Sequence, residues 1–236
     1  AFKAAHAPEE RVATQMNNVA TVLSELGRNE EALDMHEAAL EIKRRVLPNH
    51  PSTATTLNNL ALCLMDEERW GEAVEPLREA LAIRKSVLGP RTLPVAEVLN
   101  NLGTLQTERK ELDEALAVHE EALSIRVEVL GTSHRLVAQS LNNKAEALKA
   151  AEQFEEALRV HEQAWNMRRE VLGPDHPDVF QSENNVGMLL MELERYDEAL
   201  VKLESAVRGW KAALGPSHPQ VATGLNNVGM CLTRMG

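Results

Sequence analysis

The sequence predicts an all-α array of helix–turn–helix repeats, and three observations predict it. The pair Asn-Asn occurs at Asn17-Asn18, Asn58-Asn59, Asn100-Asn101, Asn142-Asn143, Asn184-Asn185 and Asn226-Asn227, at spacings of 41, 42, 42, 42 and 42 residues. A Glu-Ala step keeps the same beat at Ala32, Ala73, Ala115, Ala157 and Ala199. Turn punctuation follows it too, at Leu88-Gly89-Pro90, Leu130-Gly131-Thr132, Leu172-Gly173-Pro174 and Leu214-Gly215-Pro216. A fixed period of this length marks stacked supersecondary units, none of which buries its apolar face alone. Composition agrees, since 3% aromatic residues is low for a sheet protein and the dominant Ala, Leu, Glu and Arg are good helix formers.

Each unit divides into two helices. Residues 177–194 carry Val179, Val186, Leu190 and Leu193 at helical spacing; after a break at Arg195, residues 197–213 carry Ala199, Leu200, Leu203, Ala206 and Val207. Gly-Pro stops the second helix, because Gly suits a left-handed C-cap and Pro cannot continue a helix, while the Pro of His-Pro suits the first position of the next one. Five complete pairs result, at about 10–48, 51–89, 93–131, 135–173 and 177–215, followed by a first helix at 219–235 in a single array over 1–236. The one short step falls in a turn, where Val46-Leu47-Pro48 lacks the glycine of Val171-Leu172-Gly173-Pro174. The opening residues read as the tail of an earlier second helix, and neither end carries a polar cap, so the chain reads as an excerpt of a longer one.

A net charge of -11 argues against nucleic acid, whose phosphates require a basic surface. No apolar run approaches the roughly 20 residues of a membrane span, so no membrane insertion is expected. Cys63 and Cys231 lie far apart along the array and read as small core residues of a reducing compartment. The expected location is cytoplasmic.

Residues 54–90 show the repeat well: Leu57-Asn58-Asn59-Leu60-Ala61, Trp70, Glu72-Ala73-Val74, Ala80-Leu81 and Leu88-Gly89-Pro90. This pattern resembles the tetratricopeptide repeat, in the 42-residue variety of kinesin light chains, and the likeness covers nearly the whole chain. The resemblance implies a right-handed α-α superhelical solenoid. It also implies close helix approach at Ala20, Ala61, Gly103, Ala145, Gly187 and Gly229, with Asn29, Trp70, Leu112, Phe154 and Tyr196 wedging each hairpin.

At about 100° per residue, Glu97, Asn100, Asn101, Thr104, Thr107 and Glu108 share one face of the third first helix, opposite Leu99, Leu102, Gly103 and Gln106. The resemblance places that face in a concave groove. The groove residues are then Asn17, Asn58, Asn100, Asn101, Thr104, Asn142, Asn143, Glu146, Asn184, Asn185 and Asn226. An Asn side chain offers an acceptor and two donors to an extended peptide backbone; alternatively, one Asn of each pair ties adjacent first helices together. Glu25, Asp66, Glu97, Glu108, Glu146 and Glu192 outnumber Lys149 and Arg234 on this face, which favours a neutral or basic segment.

His36, His119 and His161 on second helices, and His50, His134, His176 and His218 in turns, recur one repeat apart. Helices pack 8–10 Å apart and zinc needs ligands at about 2 Å, so no metal site and no cofactor are expected; the turn histidines instead suit hydrogen bonds to helix starts. Glu30-Glu31, Glu120-Glu121 and Glu155-Glu156 read as a solvated face, and neither a phosphate loop nor a nucleophile motif occurs, so no enzyme is expected. Lys144, Glu183 and the Gly209-Trp210 pair break the repeat, with Trp210 expected at an exposed position, and these departures suggest a second, convex contact. The leading reading is a module that binds an extended partner segment in its groove. The other is a structural scaffold subunit in a multi-subunit cytoskeletal or ciliary assembly.

Overall fold

A computed structural model describes the backbone of residues 2–236 and the side chains from residue 8 onward. It is all-helical over the described residues. The first helices are α1 (Phe2–Glu25), α3 (Pro51–Asp66), α5 (Leu93–Glu108), α7 (Arg135–Ala150), α9 (Pro177–Glu192) and α11 (Pro219–Met235). The second helices are α2 (Asn29–Val46), α4 (Trp70–Leu88), α6 (Leu112–Leu130), α8 (Phe154–Leu172) and α10 (Tyr196–Leu214). The opening residues, read from sequence as the tail of an earlier second helix, instead run into α1.

Two compact units result, residues 1–125 and 126–236. In the first, α2 packs between α1 and α3, and α4 between α3 and α5. In the second, α8 lies between α7 and α9, and α10 between α9 and α11. Each of α2, α4, α8 and α10 thus joins its own first helix to the next within its unit, which is how a repeat too small to bury its own apolar face acquires a core.

Turn chemistry repeats as faithfully as the core. Proline opens α3, α9 and α11, and Gly89, Gly131, Gly173 and Gly215 follow the second helices at φ of 81–89°. Four turn histidines cap first helices: Nδ1 of His50, His134, His176 and His218 accepts from the backbone N–H of Ser52, Leu136, Asp178 and Gln220 at 3.1–3.3 Å. Between the helices of each pair one residue is left-handed. It is Gly27 in the first pair but Glu68, Lys110, Glu152 and Glu194 afterwards, at φ of 57–64°.

Close approaches lie at most of the small residues where they were expected; Gly229 is the exception, exposed on α11 with nothing within 4 Å of an added Cβ. Ala20, Ala61 and Ala145 are fully buried. A Cβ on Gly103 would stand 2.6 Å from the His119 ring, and one on Gly187 2.8 Å from Leu203. Cys63 and Cys231 are buried free thiols.

Candidate functional site

The paired asparagines divide their labour. In four of the pairs the first asparagine is an internal fastener: Asn17, Asn58, Asn100 and Asn184 are no more than 6% exposed. Where the facing slot on the second helix holds histidine, the amide oxygen accepts from the ring, with His36 Nδ1 at 3.2 Å from Asn17 Oδ1 and His119 Nδ1 at 3.4 Å from Asn100 Oδ1. Asn100 also donates to the Ala96 carbonyl.

Where that slot holds Leu77 or Leu203, the oxygen is free to accept from the next repeat. Asn101 Nδ2 donates to Asn58 Oδ1 at 2.8 Å, and Asn227 Nδ2 to Asn184 Oδ1 at 2.9 Å. Asn185 donates likewise to Asn142 at 3.0 Å, because His161 turns instead towards Glu146 Oε1, 3.3 Å away. Asn59, whose counterpart Asn17 is occupied by His36, reaches Thr21 Oγ1 at 3.4 Å.

The expectation that Asn17, Asn58, Asn100 and Asn184 face a ligand is therefore corrected. They are buried, and the oxygens on which recognition would depend are engaged inside the protein. Asn142 is half-buried with its oxygen also taken, and Asn226 is exposed on α11. Thr107 belongs to the interior too, donating to Gly103 O.

What remains open to solvent is a narrower stripe along each first helix. On α3 it is Thr55, Asn59, Leu62 and Asp66; on α5, Glu97, Asn101, Thr104 and Glu108. On α7 it is Gln139, Asn143, Glu146 and Ala150, and on α9, Gln181, Asn185, Met188 and Glu192. The second asparagines hold the centre of this stripe, half-buried, each with one amide hydrogen committed to the ladder where a bond is described.

Beside them the chemistry changes from repeat to repeat, through Thr21, Leu62, Thr104, Glu146, Met188 and Met230. Glu146 is the most constrained of these. Burial would raise its pKa, but the adjacent His161 ring and the Lys149 ammonium, which donates to it at 2.8 Å, outweigh that and hold it at about 2, so it is a carboxylate at neutral pH.

The departures resolve differently from their sequence reading. Trp210 is 1% exposed, not on the surface. Its register position in the other repeats holds Lys43, Arg84, Arg126 and Arg168, and that position is not a surface one: the first three are no more than 5% exposed. Lys43 donates to Ser52 O and Thr56 Oγ1, Arg84 to Pro94 O and Glu97, Arg126 to Leu136 O and Ser140 Oγ, and Arg168 to Asp178 O and Ser182 Oγ. The second-helix cation thus fastens the next first helix.

Where Trp210 replaces it, Gly224 replaces the hydroxyl acceptor, which makes room for the indole, and Nε1 donates to Pro177 O at 3.2 Å. Gly209 has a similar cause. Phe180 stands where other first helices have Ala54, Ala96, Ala138 and Ala222, and a Cβ on Gly209 would fall within 2.5 Å of three carbons of its ring. The signal was present in the sequence as two matched size swaps, Ala/Ile to Phe180/Gly209 and hydroxyl/cation to Gly224/Trp210. Lys144 and Glu183, at positions otherwise apolar, are both half-buried.

Apolar surface is exposed on α1, where Val12, Val19 and Val22 are about half accessible. A depression of about 660 Å³ lies there, lined by Pro8, Arg11, Val12, Gln15, Met16, Val19 and Met35. Val12 occupies the register of Val95, Val137, Val179 and Val221, all of which are buried. Among the described residues no group of three histidine, cysteine or carboxylate side chains converges on a metal-sized site, and no helix is long and apolar enough to cross a membrane.

The tetratricopeptide repeat family model matches residues 11–86, 94–170 and 178–236. No curated protein matches the chain. Among solved structures, a putative kinesin light chain of nearly identical TPR-like repeats from Podosopora anserina superposes with a TM-score of 0.75 at 22% identity, covering 86% of this chain and 96% of that one. BtubC (BKLC) from P. vanneervenii gives 0.72 at 20% identity over 93% and 94%. MamA from Desulfovibrio magneticus RS-1 gives 0.59 at 16% over 85% and 96%. At these identities the likeness establishes a shared solenoid fold.

Proposed function

The chain belongs to the tetratricopeptide repeat family, whose arrays are generally protein-interaction modules, and from that premise we propose that it binds an extended, neutral or basic partner segment along the exposed stripe of its first helices. The supporting observation is the contrast between ladder and stripe. The Asn-Asn pair recurs in every repeat and its described bonds are internal, while the neighbouring position, Thr21, Leu62 and Thr104 in one unit and Glu146, Met188 and Met230 in the other, differs at nearly every step. A constant frame carrying a variable solvent-facing column is what sequence-selective recognition of a segment needs, with the second asparagines contributing polar contacts to its backbone.

Charge sets the preferred partner. Glu25, Asp66 and Glu108 hold one register at the ends of α1, α3 and α5, all exposed and none in an ion pair among the described residues. They oppose an acidic segment and suit a basic one.

Selection from a random peptide-display library tests the reading. Peptides enriched on the chain should be lost with Thr104→Arg, which blocks the stripe and spares the ladder, and kept with Glu75→Arg on the exposed side of α4. Equal loss in both variants, or no enrichment at all, would overturn it. Stable co-assembly with other subunits that ignores Thr104→Arg would establish the scaffold reading instead.

A further inference from the structure

A second site lies in the fourth repeat, at the start of its first helix. Arg135, Leu136, Gln139, Arg168, Leu172 and Asp178 line a polar pocket of about 150 Å³, the scale of a single oxyanion group. We propose that this pocket binds a carboxylate or phosphate group between the guanidinium groups of Arg135 and Arg168.

Arg135 is the first indication. The same position holds Pro51, Leu93, Pro177 and Pro219 in the other repeats whose first helix begins there. Proline is pre-organised for a helix start, and a cation there opposes the positive end of the helix dipole. Arg135 therefore works against the stability of α7, and among the described residues its side chain has no hydrogen-bond or ion-pair partner.

Arg168 is the second. Its Nη1 is committed to Asp178 O at 3.3 Å and Ser182 Oγ at 2.8 Å, which fixes the guanidinium in place. Its Nε and Nη2 have no protein acceptor among the described residues. A guanidinium presents a planar fork that matches two oxygens of one anion, and here one edge of that fork is anchored while the other is unspent.

The third indication is the local charge. Where Arg84 meets Glu97 in the preceding register, the equivalent first-helix residue is Gln139, so no carboxylate from α7 closes on the site. Arg126, buried behind it, contacts Gln139 Oε1 at 3.4 Å and adds a further positive charge. Asp178 is the only acidic residue lining the pocket, and its carboxylate lies 3.9 Å from His176 Nδ1. Two lining arginines against one aspartate leave the pocket net positive in a chain whose total is -11. Burial pushes the pKa of Arg168 down and Asp178 raises it; an incoming anion offsets the cost of burial in the same sense as Asp178.

The site stands whether or not the first-helix stripe holds a peptide. It is tested on the whole chain by titrating inorganic phosphate and, separately, N-acetylglutamate, with the Arg side-chain Nε–H resonances followed by NMR. Saturable shifts centred on Arg168 and Arg135 are expected. Affinity should weaken by about tenfold or more in Arg135→Leu and in Gln139→Glu, each of which installs the third-repeat residue. It should be unchanged in Arg159→Leu, which removes the same charge from an exposed site elsewhere. Tighter binding of phosphate points to a free or phosphorylated ligand, and tighter binding of the glutamate to an acidic side chain. Non-saturable shifts with both anions, or equal weakening in Arg159→Leu, overturn the proposal.

Discussion

Restoring the common residues at positions 180 and 209 gives a sharp check on how the fifth repeat is built. Gly209→Ile alone places a branched side chain where a Cβ already lies within 2.5 Å of the Phe180 ring. Overpacking of this kind costs about 1–3 kcal/mol, and regaining helix propensity offsets up to about 1 kcal/mol of it. Phe180→Ala alone removes a half-buried ring packed against Ala206, Trp210 and Val221. Full burial would make that loss about 3–5 kcal/mol, so partial exposure brings it to about 2. The double substitution recreates the Ala/Ile pairing of the first three repeats, Ala13/Ile42, Ala54/Ile83 and Ala96/Ile125, and should lie within about 1 kcal/mol of the parent. The coupling between the two sites is then about 2–3 kcal/mol in favour of the matched pairs. Urea unfolding followed by tryptophan fluorescence measures it, since Trp210 sits in the same cluster. Additivity within about 0.5 kcal/mol would show that Gly209 is not glycine on account of Phe180.

Three further outcomes are expected. Asn58→Ala strands the Asn101 amide donor and should destabilise the chain by about 1–2 kcal/mol in urea unfolding, whereas Asn59→Ala, which loses only a 3.4 Å contact to Thr21, should cost less than about 0.5. Glu152→Gly relieves a left-handed residue at φ 59° and, after the entropy cost of glycine, should stabilise by about 0.5–1 kcal/mol in the same assay. His36 is 1% exposed, and burial, followed by the charge of Lys43, lowers its pKa from 6.5 to about 4. The unfolded chain therefore binds more protons between those values, so up to about 3 kcal/mol of stability, fully present above pH 6.5, is lost as pH falls towards 4. His36→Leu, the residue found at Leu77 and Leu203, should flatten that part of the stability-against-pH curve.

The architecture was legible because each local signal agreed with the others. Gly-Pro turns, His-Pro starts and small residues at fixed steps place helix ends, and the helices from α2 onward begin and end within a few residues of those marks, while α1 starts at Phe2. The turn histidines were legible for the same reason, since a cap depends only on residues two positions apart. The asparagines were not. Asn100 and Asn101 differ by about 100° on the helix, and both fall on a polar arc when one helix is read alone. Which of them meets solvent is decided by the neighbouring helices, through His119 for Asn100 and Asn58 for Asn101.

Trp210 was misread by a related route. A column of Lys and Arg looks like surface, yet long cationic stems can be buried when the head finds carbonyl and hydroxyl acceptors, and that is how Arg126 and Arg168 are used. Once the column is known to be interior, Trp210 becomes its apolar member, and Gly224 becomes the matching deletion across from it. The same knowledge gives Arg135 its significance. Departures compensated within the fold, such as Phe180 with Gly209, need no partner to explain them. Arg135 has no compensating residue, weakens its own helix start and lines the same pocket as Arg168. In a repeat array each unit serves as the control for the others, so function is best sought where a departure lacks an internal counterpart.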